Sequence, residues 1–448
     1  MEKPYKDLKS IFFSALESVD PYRIIKQMCP VDGELLIIRS LQGSWKWNLS
    51  DFERIVVIGA GKATAKMALA VEELLADRLS LGLISVKYGH TEKLSIVRTI
   101  EAGHPVPDMK SVQAAREIAQ LARSGDEKTL FINLISGGGS SLLCYPAEPI
   151  TLEEKQETTR QLLSCGANIR EINCLRKHLS GVKGGRLAEM LFPSTCITLI
   201  LSDVVGDRLD TIASGPTVPD ASTFHGAWSI ILKYGIEKSL PENVVSFIRL
   251  GMEGKIKETP KAGDPVFDRV SNILIGTNYS AIVAAKCKAE ELGYNTITLS
   301  SQITGEAREI ARFYVGIARD IRKLKLLAQP PACIIAGGET TVTVRGKGKG
   351  GRNQEMALAF ISEIESDPDS SGDIYFLSAA TDGNDGPTDA AGGFASLDVF
   401  RRGEEAGLKA QEYLERNNSY NYLKKTGYLF KTGPTNTNVC DLQILVVE

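Results

Sequence analysis

Strand, glycine turn, helix, repeated along 448 residues, predicts an α/β protein of two three-layer α/β/α domains. Three stretches carry this reading. The apolar run Arg54–Ile58 breaks at Gly59-Ala60-Gly61 and continues as a helical pattern through Leu75. A second run, Thr129–Ile135, opens onto Ser136-Gly137-Gly138-Gly139-Ser140-Ser141. A third, around Ile334 and Ile335, enters Gly337-Gly338-Glu339. Buried parallel strands need crossover helices to return the chain, which gives this order of elements. The expected architecture is a Rossmann-like N-terminal domain with a mostly parallel sheet over 1–255. A smaller domain with a mixed sheet follows over 256–448, with the active-site cleft between them.

Each element has its own signal. Leu8, Ile11, Phe12, Ala15, Leu16 and Val19 recur at helical spacing near the start of the chain. Leu83–Val86 reads as a strand and Ser111–Arg123 as a helix. Thr151 with Glu154 forms a capping box, and Gly166 ends that helix. Asn168 with Glu171 starts another, running through Leu175 and Leu179. Cys196–Leu201 is a buried strand delivering Ser202, Asp203, Gly206 and Asp207. Two helices and a loop with Pro260 and Pro265 fill 220–268, marking a domain junction. Asn272–Gly276, Thr296–Ser300, Cys333–Ala336, Ile374–Ser378 and Leu442–Val447 are further strands. The alternation between Glu339 and Gly346 reads as one more.

Composition narrows the function. A net charge of −3 gives no bulk attraction to nucleic acid or an anionic membrane. No apolar run approaches the ~20 residues of a membrane span, and the N-terminal pattern is amphipathic, unlike a signal peptide. Eight cysteines without a CxxC pair favour a reducing cytoplasm. Four histidines form no HExxH, which argues against a zinc site.

The special residues gather where ligands bind in open parallel sheets, beyond the carboxyl ends of strands. The loop 346–351 holds four glycines and two lysines, Lys347 among them, and Arg352 opens a helix with Asn353 behind it. Backbone amides, cations and a helix start suit a polyphosphate; a solvated hairpin tip is the alternative. Lys62 follows a strand and the Gly59–Gly61 turn, where a cation opposes the helix dipole unless an anion is bound. That turn is a poor dinucleotide fingerprint, because Thr64 replaces the third small residue and Lys87 ends the next strand. Ser136, Gly137, Gly138, Gly139 and Ser140 suit a phosphate or carboxylate. Arg176 and Lys183 are candidates for the same contact, while Lys177 and Arg186 read as a solvated face. Asp203, Asp207, Asp382, Asp385 and Asp389 are grouped acids, read as Mg²⁺ ligands, a base for a hydroxyl, or turn residues. Together these parts describe phosphoryl transfer.

The motifs IGAGKA (58–63), GHPVPD (103–108), ISGGGSSLL (135–143), LRKHLSGVKGGRLA (175–188), LSDVVGDRLDTIASGPTVPD (201–220), GGETTVTVRGKGKGGRNQE (337–355), TDGNDGPTDAAGG (381–393) and TGPTNTNVCDL (432–442) closely resemble the two-domain, MOFRL-type glycerate 2-kinases. The resemblance implies ATP- and Mg²⁺-dependent phosphorylation of D-glycerate to 2-phospho-D-glycerate, with Lys62 and Arg352 as cationic active-site residues. The residue pattern and the resemblance together place Lys62, Arg352, Asp203 and Asp207 in catalysis and Asp382 and Asp385 at the metal, with the division of the four aspartates between magnesium and the hydroxyl proton left open. Gly59, Gly61, Gly337, Gly338, Lys347, Thr435 and Asn438 face the nucleotide. The 136–140 loop, Arg176, Lys183, Glu339 and Asn353 face the acid or its phosphate. Partners are small molecules, and a homodimer is compatible with the reading. The sequence departs from the family pattern at Asn436, Cys440, Gly181 and Cys144-Tyr145. A nicotinamide-dependent hydroxypyruvate reductase and a non-catalytic sensor of phosphorylated metabolites are the competing functions.

Overall fold

The computed structural model describes residues 3–368 and 371–448. It divides into two compact units, Pro21–Ile275 and a second formed by Met1–Asp20 with Gly276–Glu448.

The first unit opens with a small antiparallel sheet of β1 (Val31–Asp32), β2 (Leu35–Ser40) and β3 (Gly43–Asn48). Its main sheet comprises β4 (Arg54–Ala60), β5 (Leu81–Lys87), β6 (Val97–Ala102), β7 (Thr129–Ile135), β8 (Thr195–Leu201) and β9 (Val270–Gly276), in the order β6-β5-β4-β7-β8-β9. Strands β4 to β8 pair in parallel. This is the doubly wound Rossmann order, whose direction of progression reverses between β4 and β7. All seven residues of β7 are buried, as a strand covered on both faces requires. The capping boxes at Thr151 and Asn168 form as expected, each joining its helix to the loop before it. Helices Leu152–Ser164, Ile169–His178, Phe224–Tyr234 and Glu242–Met252 build a second apolar cluster around Leu162, Leu175, Phe224 and Ile248.

The second unit carries a mixed sheet of β10 (Asn295–Thr298), β11 (Ala332–Gly338), β12 (Ile374–Ala380), β13 (Gly392–Ser396), β14 (Leu429–Phe430) and β15 (Asp441–Val447), ordered β10-β11-β15-β12-β13-β14. Only β10 with β11 is parallel; β15 lies antiparallel between β11 and β12. Helix Lys3–Ser18 packs on helix Asn278–Glu291 and on β15, while Ala307–Leu324 and Arg352–Glu365 form another packed pair. The Phe360 and Phe376 rings stack 4.7 Å apart in this core. Among the described residues no helix is long and apolar enough to cross a membrane.

The architecture is the expected one, with three differences of detail. The units divide at Ile275/Gly276 and not at 255/256, because residues before this point return to the first sheet: Cys196 N donates to Arg269 O at 2.9 Å. The first helix belongs to the second unit; its apolar face is covered by Phe430 against Phe12 (5.1 Å) and by Phe394 against Tyr5 (5.6 Å). Thr437 Oγ1 also donates to Val19 O at 2.7 Å. Finally, the alternating residues after Glu339 form no strand, only a bridge between Glu306 and Thr341. Their backbone is claimed by side chains: Thr343 N donates to Glu306 and Arg345 N to Asn417.

Phe12 is fully buried. We expect Phe12→Ala to cost about 3–5 kcal/mol. Hydrogen exchange should show protection lost in residues 276–448 and retained in 21–275; the reverse pattern would contradict the assignment of this helix.

Candidate active site

The turns after β4 and β7 meet at the reversal point of the first sheet. Lys62 N donates to Gly137 O at 2.8 Å, joining them. Gly59 lies within β4 against Leu134 O, Gly61 against Ser136, and Gly139 against Ala60 O. The Ser136 hydroxyl is buried and accepts from Ala63 N at 3.0 Å, with Thr64 Oγ1 3.1 Å away. It therefore secures the start of helix Thr64–Leu75, a role different from the expected ligand contact. At Gly137 a Cβ would lie 2.2 Å from Asp203 Oδ2, and at Gly138 (φ +83°) 2.8 Å from the His104 ring. Only glycine lets these two side chains approach the loop. Lys62, His104 and Asp203 thus converge on residues 137–138.

A cavity of about 560 Å³ opens beside this loop, lined by His104, Gly138, Ser140, Lys155, Arg176 and Lys183 among others. Lys183 is 1% exposed, and its Nζ donates to Ser140 O (2.7 Å), Ser140 Oγ (3.0 Å) and Ala213 O (3.3 Å). Lys155, also buried, donates to Leu179 O at 3.1 Å. Arg176 is half-buried, and among the described residues no carboxylate pairs with any of the three. Burial pushes all three basic groups below their ordinary values, Lys183 furthest, with repulsion from Lys155 and Arg176 adding to it. The buried Cys144 thiol, one of the departures from the family pattern, works in the opposite direction on each. Burial and the neighbouring Lys62 bring His104 down to about 4, so its imidazole is neutral near pH 7. A cavity with this floor attracts an anion.

Asp203 and Asp207 follow β8. Asp207 sits at φ +51°, and burial raises its carboxyl against a lowering hydrogen bond from Ser202. Lys177 is buried, contrary to the solvated face expected of it, because its helix turns it onto Asp220 (3.2 Å) and Asp210 (3.8 Å). Arg186 is half-buried and donates to Lys257 O at 3.0 Å.

In the second unit, Arg352 opens its helix as expected. Its Nε and Nη2 grip the buried Asp441 carboxylate at 2.5 and 2.9 Å, and Nη1 reaches Glu339 at 2.6 Å. Burial alone would lower its basicity, but the Asp441 hydrogen bonds reverse this and raise it. Arg352 is therefore a braced cation. Asp385 is 2% exposed and accepts from Asn353 N (3.1 Å), Asn353 Nδ2 (3.3 Å), Gln354 N (2.8 Å) and Gln354 Nε2 (2.9 Å). It caps the helix that Gly351 leaves uncapped, so the expected metal role gives way to four N–H donors. Asn353 is likewise internal, accepting from Ser378 Oγ at 2.6 Å.

The glycine loop is packed, not open. A Cβ at 346 or 348 would strike Arg416 O, and at 350 and 351 the side chains of Ser419 and Asp385. The amides of Gly346, Gly348 and Lys349 bond to residues 416–418, which leaves the loop's cradle role unsupported. Gly337 and Gly338 similarly admit Asn278 and Ile303. Lys347 is exposed, Asp382 is half-buried after β12, and Asp389 holds Tyr420 and Lys431. Thr435 Oγ1 donates to Thr381 O, and Asn438 Oδ1 accepts from Cys440 N. Asn436 and Cys440, two of the departures from the family pattern, adopt φ +60° and +68°, the left-handed region that favours Gly and Asn. Among the described residues no group of three His, Cys, Asp or Glu could enclose a metal.

Sequence reasoning missed His104, Lys155 and Asp441. His104 and Asp441 lie inside motifs 103–108 and 432–442 without a signal of their own, and Lys155 follows the Thr151–Glu154 capping box in a polar helix.

A Rossmann-ordered unit with a cation-floored cavity at its reversal point, followed by a mixed-sheet unit with a braced arginine, defines a two-unit α/β protein. The model described as "Domain of unknown function (DUF4147)" matches residues 7–249, and that of the MOFRL family matches 332–441. Glycerate 2-kinase of Pyrococcus horikoshii is 40% identical over 436 residues, 97% of this chain and 95% of its own. D-glycerate 2-kinase of Thermotoga maritima is 41% identical, covering 96% and 95%. A crystal structure of glycerate kinase from Thermotoga maritima superposes at a TM-score of 0.88 with 39% identity, covering 100% of both chains. An Agrobacterium vitis relative with a provisional hydroxypyruvate reductase name is 40% identical over 88% of this chain and 87% of its own. The chain belongs to the glycerate kinase family.

Burial raises the Asp385 carboxyl to about 6 in the fold, against 3.8 as the ordinary value, even though the Gln354 and Asn353 amides lower it. The folded state therefore binds more protons between these two values, and this group stabilises the protein as pH falls from about 6 to about 4. Asp385→Asn should remove that contribution, seen as a flatter dependence of the thermal midpoint on pH; parallel curves would refute it.

Proposed function

We propose that the protein transfers the γ-phosphoryl group of ATP to the 2-hydroxyl of D-glycerate, giving 2-phospho-D-glycerate and ADP. The observation that carries this reading is the cavity whose basic groups, the buried Lys155 and Lys183 and the half-buried Arg176, pair with no carboxylate among the described residues. It lies where a Rossmann-ordered sheet binds ligands, and the relatives named for this reaction match the chain nearly end to end.

In this reading Arg176 receives the glycerate carboxylate, because a guanidinium fork matches two carboxylate oxygens. Lys155 and Lys183 add positive potential beneath it. His104, neutral beside Gly138 and Lys62, orients the acceptor hydroxyl without adding charge. Asp203 or Asp207 takes the hydroxyl proton as the oxygen attacks phosphorus. Lys62 neutralises charge on the transferring group, which is most of what catalysis of phosphoryl transfer requires. On the nucleotide side, Asp441 and Glu339 hold Arg352 in a fixed orientation toward the phosphates, with Lys347 contributing long-range attraction. Gly337, Gly338 and Thr435 shape the backbone there.

Mg²⁺ fits the donor set as an ion carried mainly on ATP. Such ions take one or two protein carboxylates and complete their shell with phosphate and water. In this reading Asp382 is the carboxylate that would take the ion, which when bound would screen phosphate charge. The reductase reading fares worse, because Lys87 ends β5 where an acid would hold a nicotinamide dinucleotide's ribose.

Incubation with D-glycerate, ATP and Mg²⁺ followed by NMR identification of the phosphorylated carbon tests the proposal; no phosphorylation, or phosphorylation at carbon 3, would reject it. Lys62→Ala should lower turnover by about 10²–10³ with an unchanged thermal midpoint. Arg352→Ala should also lower turnover, and it should destabilise the protein by about 3–5 kcal/mol because it strands the buried Asp441 charge. ADP release and thermal unfolding of both variants check this pair of outcomes.

A further inference from the structure

The cavity beside Gly138 exceeds what glycerate needs. Its volume of about 560 Å³ lies within the roughly 300–1,000 Å³ of pockets that bury drug-sized ligands, whereas glycerate is a three-carbon acid. Its two ends differ in chemistry. The floor is cationic, with Arg176, Lys155 and Lys183. The rim carries Val106 and Leu163, exposed by 62% and 61%, with Pro105 and Pro107 beside them. This rim is a built feature, because Gln156 Nε2 donates to Pro107 O at 2.7 Å. That bond ties helix Leu152–Ser164 to the loop that carries Val106. Exposed Val and Leu side chains at the mouth of an anion cavity are covered favourably by ligand hydrocarbon. A bare phosphate or glycerate itself would satisfy the floor and leave the rim in water.

We propose that this cavity binds 2-hydroxycarboxylic acids bearing an apolar or aromatic substituent on carbon 3, with the carboxylate on Arg176 and the substituent against Val106 and Leu163. The inference rests on the reading of this cavity as the acceptor site. It extends that reading from one acid to a class.

The probe is 2-hydroxy-3-phenylpropanoate, added to the full chain and followed by calorimetry and by inhibition of glycerate-dependent ADP release. We expect the probe to compete with glycerate and to lose binding in Arg176→Gln. Leu163→Asp should raise the ratio of probe Kd to glycerate Kd about tenfold or more. Val106→Asp, in the loop, provides a second rim variant should the helix variant fold poorly. Calorimetric binding of glycerate without binding of the probe would overturn the inference. Equal shifts for both ligands in both rim variants would do the same. Rim-dependent probe binding without glycerate-dependent ADP release would count against the kinase reading and leave the inference standing.

Discussion

Positive charge held in a protein interior without a counter-charge is expensive, since an ion loses several kcal/mol of hydration on leaving water. The first unit accepts this at Lys183, whose ammonium is surrounded by neutral oxygens of Ser140 and Ala213. Lys155 has a single carbonyl, and Arg176 faces the cavity. Folding alone has no use for such an arrangement, because an apolar residue of equal volume would pack more favourably. The sheet order explains where the strain is kept. At the reversal point between β4 and β7 the crossover helices diverge, and the space they leave gives a visiting anion room to restore balance.

The second unit handles charge in the opposite sense. Arg352 is matched by more negative charge than it carries, between the buried Asp441 and the more exposed Glu339. The result is a cation of fixed orientation, since a guanidinium gripped on two edges cannot rotate. Asp385, a few residues away in space, spends its carboxylate on the first amides of the same helix. Positioning of one arginine thus draws on β15, the loop after β12 and the turn after β11.

How much of this could be read from residues alone depended on whether the cause was local. The capping boxes at Thr151 and Asn168 were legible because donor and acceptor lie three positions apart. The strand ends at Ile135 and Leu201 were legible because a glycine or aspartate follows a buried run. The glycine loop before Arg352 was misread for the converse reason. Its small residues answer to Arg416, Asn418 and Ser419, and nothing in the loop's own sequence names those neighbours. Lys155 was invisible on similar grounds, since a lysine in a polar helix shows its burial only once Leu179 is beside it. The hairpin of β2 and β3, the edge strands β6 and β14, and β13 beside the latter escaped notice because they are short or only partly apolar.

Helix Lys3–Ser18 leaves the ribosome long before the sheet it covers exists. The Thr437–Val19 bond closes a separation of 418 positions, and β15, against which the helix packs, is translated after every other strand of its sheet. Throughout elongation, then, the Tyr5, Phe12 and Leu16 stripe travels uncovered while the intervening Rossmann-ordered segment is free to mature. The apolar face of this helix is thus made early in synthesis but finds its full cover only once β15 has been made.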